Sequence, residues 1–224
     1  MRKRTFWVTA AGLAAILVAG GLFASNMGFK LNYPLDATGT NSSLDGTNSL
    51  ALPFNQQTNL LDAEDLIVDI NNGEPSPIVN QVCEWVKASN GLSCYTGFSG
   101  TNFTLTPGYG YLVQVTANGN YIVVGSHDPL KGVALDAPGT NSSLDGTSIY
   151  AMPYHTTLTD ALGLIGEIDA AAGVQVVNQV CEWVKASNGL SCYTGFSGTN
   201  FTLVPGSAYY VQVTANVSYT PSHY

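Results

Sequence analysis

Apolar and polar positions alternate over residues 27–35. Met27, Phe29, Leu31, Tyr33 and Leu35 are separated by Gly28, Lys30, Asn32 and Pro34. A period of two puts the large side chains on one face, which predicts a half-buried strand. Ser49 to Phe54 (SLALPF) predicts a short strand, matched later by Ile149 to Tyr154 (IYAMPY). The period then changes. From Asp62 to Asn71, Leu66, Ile67 and Ile70 share one helical face, and Gly73 follows as a stop. Asp160 to Asp169 repeats this with Leu164, Ile165 and Ile168. Val79–Val86, Gly91–Phe98, Phe103–Leu105, Tyr109–Ala117 and Tyr121–Gly125 are rich in β-branched and aromatic residues and read as strands.

The pattern occurs twice. VNQVCEWVKASNGLSCYTGFSGTNFTL at 79–105 recurs unchanged at 177–203, GTNSSLDGT at 39–47 recurs at 139–147, and VQVTAN at 113–118 recurs at 211–216. The offset falls from 100 to 98, which places two extra residues of copy one at the Asn55–Gln57 turn. The expected fold is α+β and mainly β: two tandem copies of a small antiparallel β domain with one short helix each. The expected boundaries are 26–128 and 129–224, each long enough for its own core.

Residues 1–25 form a separate segment. Arg2, Lys3 and Arg4 precede an uncharged apolar run from Phe6 to Phe23. That is the layout of a signal peptide, with a retained N-terminal anchor as the alternative. A membrane partner is expected only if this segment stays uncleaved. Without it, four lysines face 15 acidic residues, a net charge of −11. Such a chain repels nucleic acid and anionic lipid. Low charge with abundant Gly, Ser, Thr, Asn and Tyr suits a turn-rich extracellular protein.

The cysteines refine the picture. Cys83 and Cys94 are repeated as Cys181 and Cys192, and an even count in an exported chain argues for disulfides. A two-residue Asn90-Gly91 turn would set Cys83 opposite Phe98. A four-residue loop from Lys87 to Asn90 pairs Val86 with Gly91, Trp85 with Leu92 and Cys83 with Cys94, with Asn90 in the positive-φ position that Asn tolerates. Cys83–Cys94 then falls on a close, non-hydrogen-bonded pair within disulfide reach. The spacing suits neither a zinc site nor a reactive dithiol.

Catalytic candidates are few. His127 and His223 close equivalent strands, and His155 has no counterpart in copy one. Glu84 and Glu182 are expected to point opposite to Cys and Trp, towards solvent. Asp36, Asn41 and Asp45, with Asp136, Asn141 and Asp145, line loops that offer oxygens for calcium. Asx turns explain the same residues, and the spacing is not that of an EF-hand. No catalytic residue, metal site or cofactor is expected. Aromatics remain: Trp85, Tyr95, Phe98, Phe103, Tyr109 and Tyr111, with Trp183, Tyr193, Phe196, Phe201, Tyr209 and Tyr210. On alternating strands most are expected in the core. Trp85, Tyr95, Trp183 and Tyr193 are the candidate binding aromatics.

The order SLALPF, helix, EWVKASNGLSCYTG and NFTLTPGYGYLVQVTA resembles a recurrent domain of bacterial and archaeal secreted proteins. That domain has a Trp-centred hairpin and an N-F-x-(I/L)-x-P-G-x-(A/G)-Y-x-V-x-V ending, here Asn102–Val115 and Asn200–Val213. With its N-M-G-F-K-L-N start at Asn26–Asn32, the whole chain resembles uncharacterised deltaproteobacterial exported proteins with tandem domains of this kind. The resemblance implies a surface or extracellular accessory module with no assigned chemistry. Many relatives lack the cysteine pair, so the disulfides rest on geometry. The leading expectation is a non-enzymatic secreted structural or adhesive protein of the cell surface or extracellular matrix. It would partner itself, polymerising by strand donation from Met27, Phe29, Leu31 and Tyr33. The alternative is a tandem glycan-binding module for a surface glycan.

Overall fold

The computed structural model describes residues 28–39, 43–56, 60–126, 128, 130–137 and 143–222. The leader, Met27, Asn41, Asn141, His127 and His223 lie outside the described residues.

The first unit comprises β1 (Gly28–Leu35), β2 (Thr47–Ala51), β3 (Asn55–Gln56), α1 (Ala63–Asn72), β4 (Val79–Val86), β5 (Gly91–Tyr95), β6 (Gly110–Val115) and β7 (Gly119–Ser126). The second comprises β8 (Val133–Leu135), β9 (Thr147–Ala151), α2 (Ala161–Ala172), β10 (Val177–Val184), β11 (Gly189–Tyr193), β12 (Ala208–Val213) and β13 (Val217–Tyr219). Each unit is built on a four-stranded antiparallel sheet, ordered β5-β4-β6-β2 and β11-β10-β12-β9. Smaller sheets stand beside them, β1-β7-β3 in the first unit and β8-β13 in the second. The described residues are mainly β with two α-helices, the tandem α+β arrangement that the patterning implies.

The inner strands β6 and β12 of the main sheets are buried on both faces. Every residue of β6 is buried, Gln114 among them, so GYLVQV does not alternate between core and solvent. Tyr111, Val113 and Val115 face the core shared with α1, β1 and β7. Leu112 faces the other way, into a cluster formed with the second unit. Asp62 caps α1 by accepting from Asp65 N at 3.0 Å, and Leu66, Ile67 and Ile70 are buried beneath the helix. At its far end Asn71 Oδ1 accepts from Ile78 N and Val79 N, fixing where β4 begins.

Gly73 caps α1 where the sequence places a stop, at φ −80°, and its counterpart Gly173 caps α2 in the left-handed region, at φ 73°. α2 runs on through Ala170–Ala172, good helix formers, before reaching that glycine. Pro53 cannot donate to a ladder, and the strand expected over Ser49–Phe54 lies at Thr47–Ala51 instead. Phe103–Leu105 forms no ladder strand, because it bonds to the segment that leads into α1 (Ala63 N to Phe103 O, Leu105 N to Leu61 O).

The N-terminal strand is not spare. β1 pairs with β7 of its own unit from Gly28 to Leu35. Its first half, which has no counterpart in the shorter strand Val133–Leu135, docks on the second unit: Phe29 stacks on Tyr154 at 4.6 Å, and Leu31 lies against Gly206. Tyr33 Oη reaches both Ala51 O and Gly206 O. Phe29, Leu31 and Tyr33 of the expected donor strand therefore brace the joint between the repeats.

Candidate functional site

Both hairpins have the register derived from cysteine spacing. Cys83 pairs with Cys94, Trp85 with Leu92 and Val86 with Gly91, and the second hairpin follows suit. Asn90 and Asn188 close the loops at φ 49°. Both disulfides are formed, with Cα–Cα distances of 4.0 Å, as suits an oxidising environment.

The cysteine-bearing faces of the two sheets meet. Leu112, Cys83 and Ala51 of one unit pack with Ile149, Ala151, Cys181, Ala208 and Tyr210 of the other, with Trp85 and Trp183 half-buried alongside. A Cβ on Gly110 would overlap Ala208 and Ile149, so only glycine permits this approach of the backbones. Several polar contacts across the seam come in reciprocal pairs, as in an isologous dimer interface. Asn90 Nδ2 donates to Asp145 Oδ1, and Asn188 Nδ2 to Asp45 Oδ1, both at 2.6 Å. Lys87 Nζ donates to Ala134 O (3.2 Å) and Asp136 Oδ2 (2.9 Å), and Lys185 Nζ donates to Pro34 O (3.3 Å), the counterpart of Ala134.

Two clefts open along this seam. The first, about 370 Å³, is lined by Glu84, Trp85, Lys87, Thr104, Tyr109 and Tyr111, and is closed by Ser148 and Ile149 of the second unit. The other, about 380 Å³, repeats Glu182, Trp183, Lys185, Thr202 and Tyr209, and is closed by Tyr33 and Ser49 of the first unit. Glu84 and Glu182 do face away from the cysteines, but they are half-buried rather than turned to open solvent. Desolvation pushes both carboxyls above the ordinary glutamate range. Burial likewise raises the phenol of Tyr111 to about 12 and that of Tyr109 above its usual value, so both stay protonated; Tyr109 Oη donates to Ala134 O, and Tyr111 Oη accepts from Thr106 N.

The other candidates sit elsewhere. Tyr95 and Tyr193 are on the opposite sheet face from the tryptophans, packed against the helix-side cores. Tyr95 Oη donates to Glu64 Oε2 at 3.4 Å, and Tyr193 Oη to Gly195 O at 3.0 Å. The four candidate aromatics therefore form no single row. Asp36 Oδ1 accepts from Thr38 N at 2.9 Å in an Asx turn, which lowers its carboxyl pKa. His155 lies against the ring of Tyr154. Among the described residues no group of three acidic, histidine or cysteine side chains is placed to hold a metal, and no helix is long and apolar enough to cross a membrane.

Sequence reading missed two residues. Phe98 is fully exposed and Phe196 is 93% exposed, although both were grouped with core aromatics. Each sits in a rigid turn: Thr96 Oγ1 accepts from Phe98 N and Ser99 N, Thr96 N donates to Ser99 O, and Gly97 and Gly100 have φ near +90°. The flanking glycines in T-G-F-S-G were the available signal that the phenylalanine leaves the strand.

Comparison of the chain with known protein families, curated proteins and solved structures finds no match.

Proposed function

We propose that this is a non-enzymatic structural or adhesive protein that acts outside the cell. The carrying observation is the pair of phenylalanines, Phe98 and Phe196, held in full solvent on hydrogen-bonded turns. Leaving a phenylalanine side chain in water forgoes about 2 kcal/mol that burial would supply. A rigid, repeated display of this kind is what a contact surface needs. The stapled hairpins and two-way seam support the same reading, since they make one stiff block from two small domains. Self-association through these turns replaces strand donation as the route to assembly, because β1 is already paired in cis.

Sedimentation velocity of residues 26–224, as purified and as the F98S/F196S variant, tests this. Concentration-dependent oligomers that vanish in the variant are expected. Monomers in both samples would overturn the reading.

A second reading, a tandem glycan-binding module, is favoured by the seam clefts, where Trp, Tyr, Glu and Lys side chains converge.

A further inference from the structure

We infer that the two seam clefts are equivalent saccharide sites, each completed by the other repeat. The inference deepens the glycan-binding reading and commits it to named residues.

The argument starts with Glu84 and Glu182. Among the described residues neither carboxylate has a hydrogen-bond or ion-pair partner; the single described salt bridge is Lys87–Asp136. A half-buried carboxylate has lost water without gaining a donor, an unfavourable state unless a ligand supplies one. The same unpaired acid recurs in both clefts, beside the same Trp and Lys.

The surroundings decide the ligand class. An anion would meet the free carboxylate. An organic cation would meet an ammonium already in the wall: Lys87 Nζ lies 5.6 Å from the Tyr109 ring centre. An apolar ligand would leave the acid uncompensated. A sugar meets all the demands at once, because its hydroxyls donate to the carboxylate and accept from lysine and threonine. Its C–H face rests on aromatic rings. The volumes suit a small ligand, and the position between two domains is a common one for binding sites.

The clefts are also cross-repeat structures. Ser148 and Ile149 close the first, and Tyr33 and Ser49 the second. A sugar bound there touches both units and should stabilise the seam by mass action. Two sites per chain would give avidity on a dense glycan surface.

The test uses residues 26–224 and saturation-transfer NMR with a panel of glucose, galactose, mannose, N-acetylglucosamine, rhamnose and the corresponding disaccharides. Tetramethylammonium serves as a cation control. For the best sugar, calorimetry is expected to give two sites per chain, one in E84A or E182A, and a loss of about ten-fold or more in affinity in the double variant. Should E84A/E182A lose its cooperative melt, E84Q/E182Q takes its place with the same expected direction. A sugar that binds equally well to the double variant would overturn the cleft assignment and leave the glycan reading standing. Transfer to no sugar, or to tetramethylammonium alone, would overturn both.

Discussion

The side-chain amide of Asn90 donates to Asp145 Oδ1 at 2.6 Å, across 55 residues of chain and from one repeat to the other. Asn188 makes the same bond to Asp45. Both asparagines also hold the left-handed corner of their hairpin, at φ 49°. Glycine satisfies the corner but has no amide to donate. Aspartate tolerates the corner but would set one carboxylate against another.

The two demands are separable. N90G/N188G keeps the turns and removes the bonds, and is expected to be less stable by about 1 kcal/mol per position. N90D/N188D should lose more at low salt and recover part of the loss as salt is raised. Urea midpoints at two ionic strengths read both effects. A glycine variant as stable as the parent would show that the seam does not depend on these bonds.

The disulfides close short hairpin loops, with a sequence separation of 11. Loop-closure entropy gives about 3 kcal/mol for each. C83A/C94A and C181A/C192A should each cost about that much in chemical denaturation. Because Cys83 and Cys181 sit in one cluster, the quadruple variant should depart from additivity. A strictly additive result would mean the seam transmits nothing between the staples.

The hairpin register was readable because it depends on local counting: loop length, alternation and two cysteines that must meet. The helices were readable because Leu66, Ile67 and Ile70 keep the helical period. The seam was not. Lys87 and Asp136, or Asn90 and Asp145, are far apart in sequence, and nothing in a repeated string says whether its copies touch. The same gap hid the role of β1: the alternation from Met27 to Leu35 reads as a strand free for donation, and nothing in the sequence says that Phe29 stacks on Tyr154. Glu84 was placed on the correct strand face, yet its half-burial depends on Tyr111 and Tyr109, far along the chain, and on Ile149 from the other unit.

The turn that presents Phe98 offers a contrast between two glycines. At Gly97 a Cβ meets nothing within 4 Å, while at Gly100 it would overlap the carbonyl of Cys94. Both have positive φ. Gly97→Ala should therefore cost only the backbone strain, about 1–2 kcal/mol. Gly100→Ala adds a clash with the strand that carries the disulfide and should cost clearly more. Thermal unfolding of the two variants gives the order; equal losses would contradict it.

The two tryptophans differ despite identical neighbours in sequence. Trp183 Nε1 donates to Thr47 O at 2.9 Å, whereas Trp85 Nε1 is buried with no acceptor among the described residues. Trp183→Phe should lose about 1 kcal/mol more than Trp85→Phe, beyond what the two lose in common from smaller ring area. Paired urea titrations measure the difference, and a larger loss at Trp85 would reverse the assignment of the seam bond.

Glu84 and Glu182 give the fold a pH dependence of definite sign. Desolvation raises both carboxyls in the folded state. The folded chain therefore holds these protons to higher pH than the unfolded chain does. Stability falls as pH rises from the unfolded glutamate value, about 4.3, through the raised folded values. E84Q/E182Q removes the ionisation and should be more stable than the parent at pH 7. Below about pH 4, where glutamate is protonated in both states, that advantage should disappear. Urea midpoints of the two proteins across this range test the sign. An advantage that persists undiminished in acid would trace to packing rather than charge, and a disadvantage at pH 7 would mean that both carboxylates are compensated in solution.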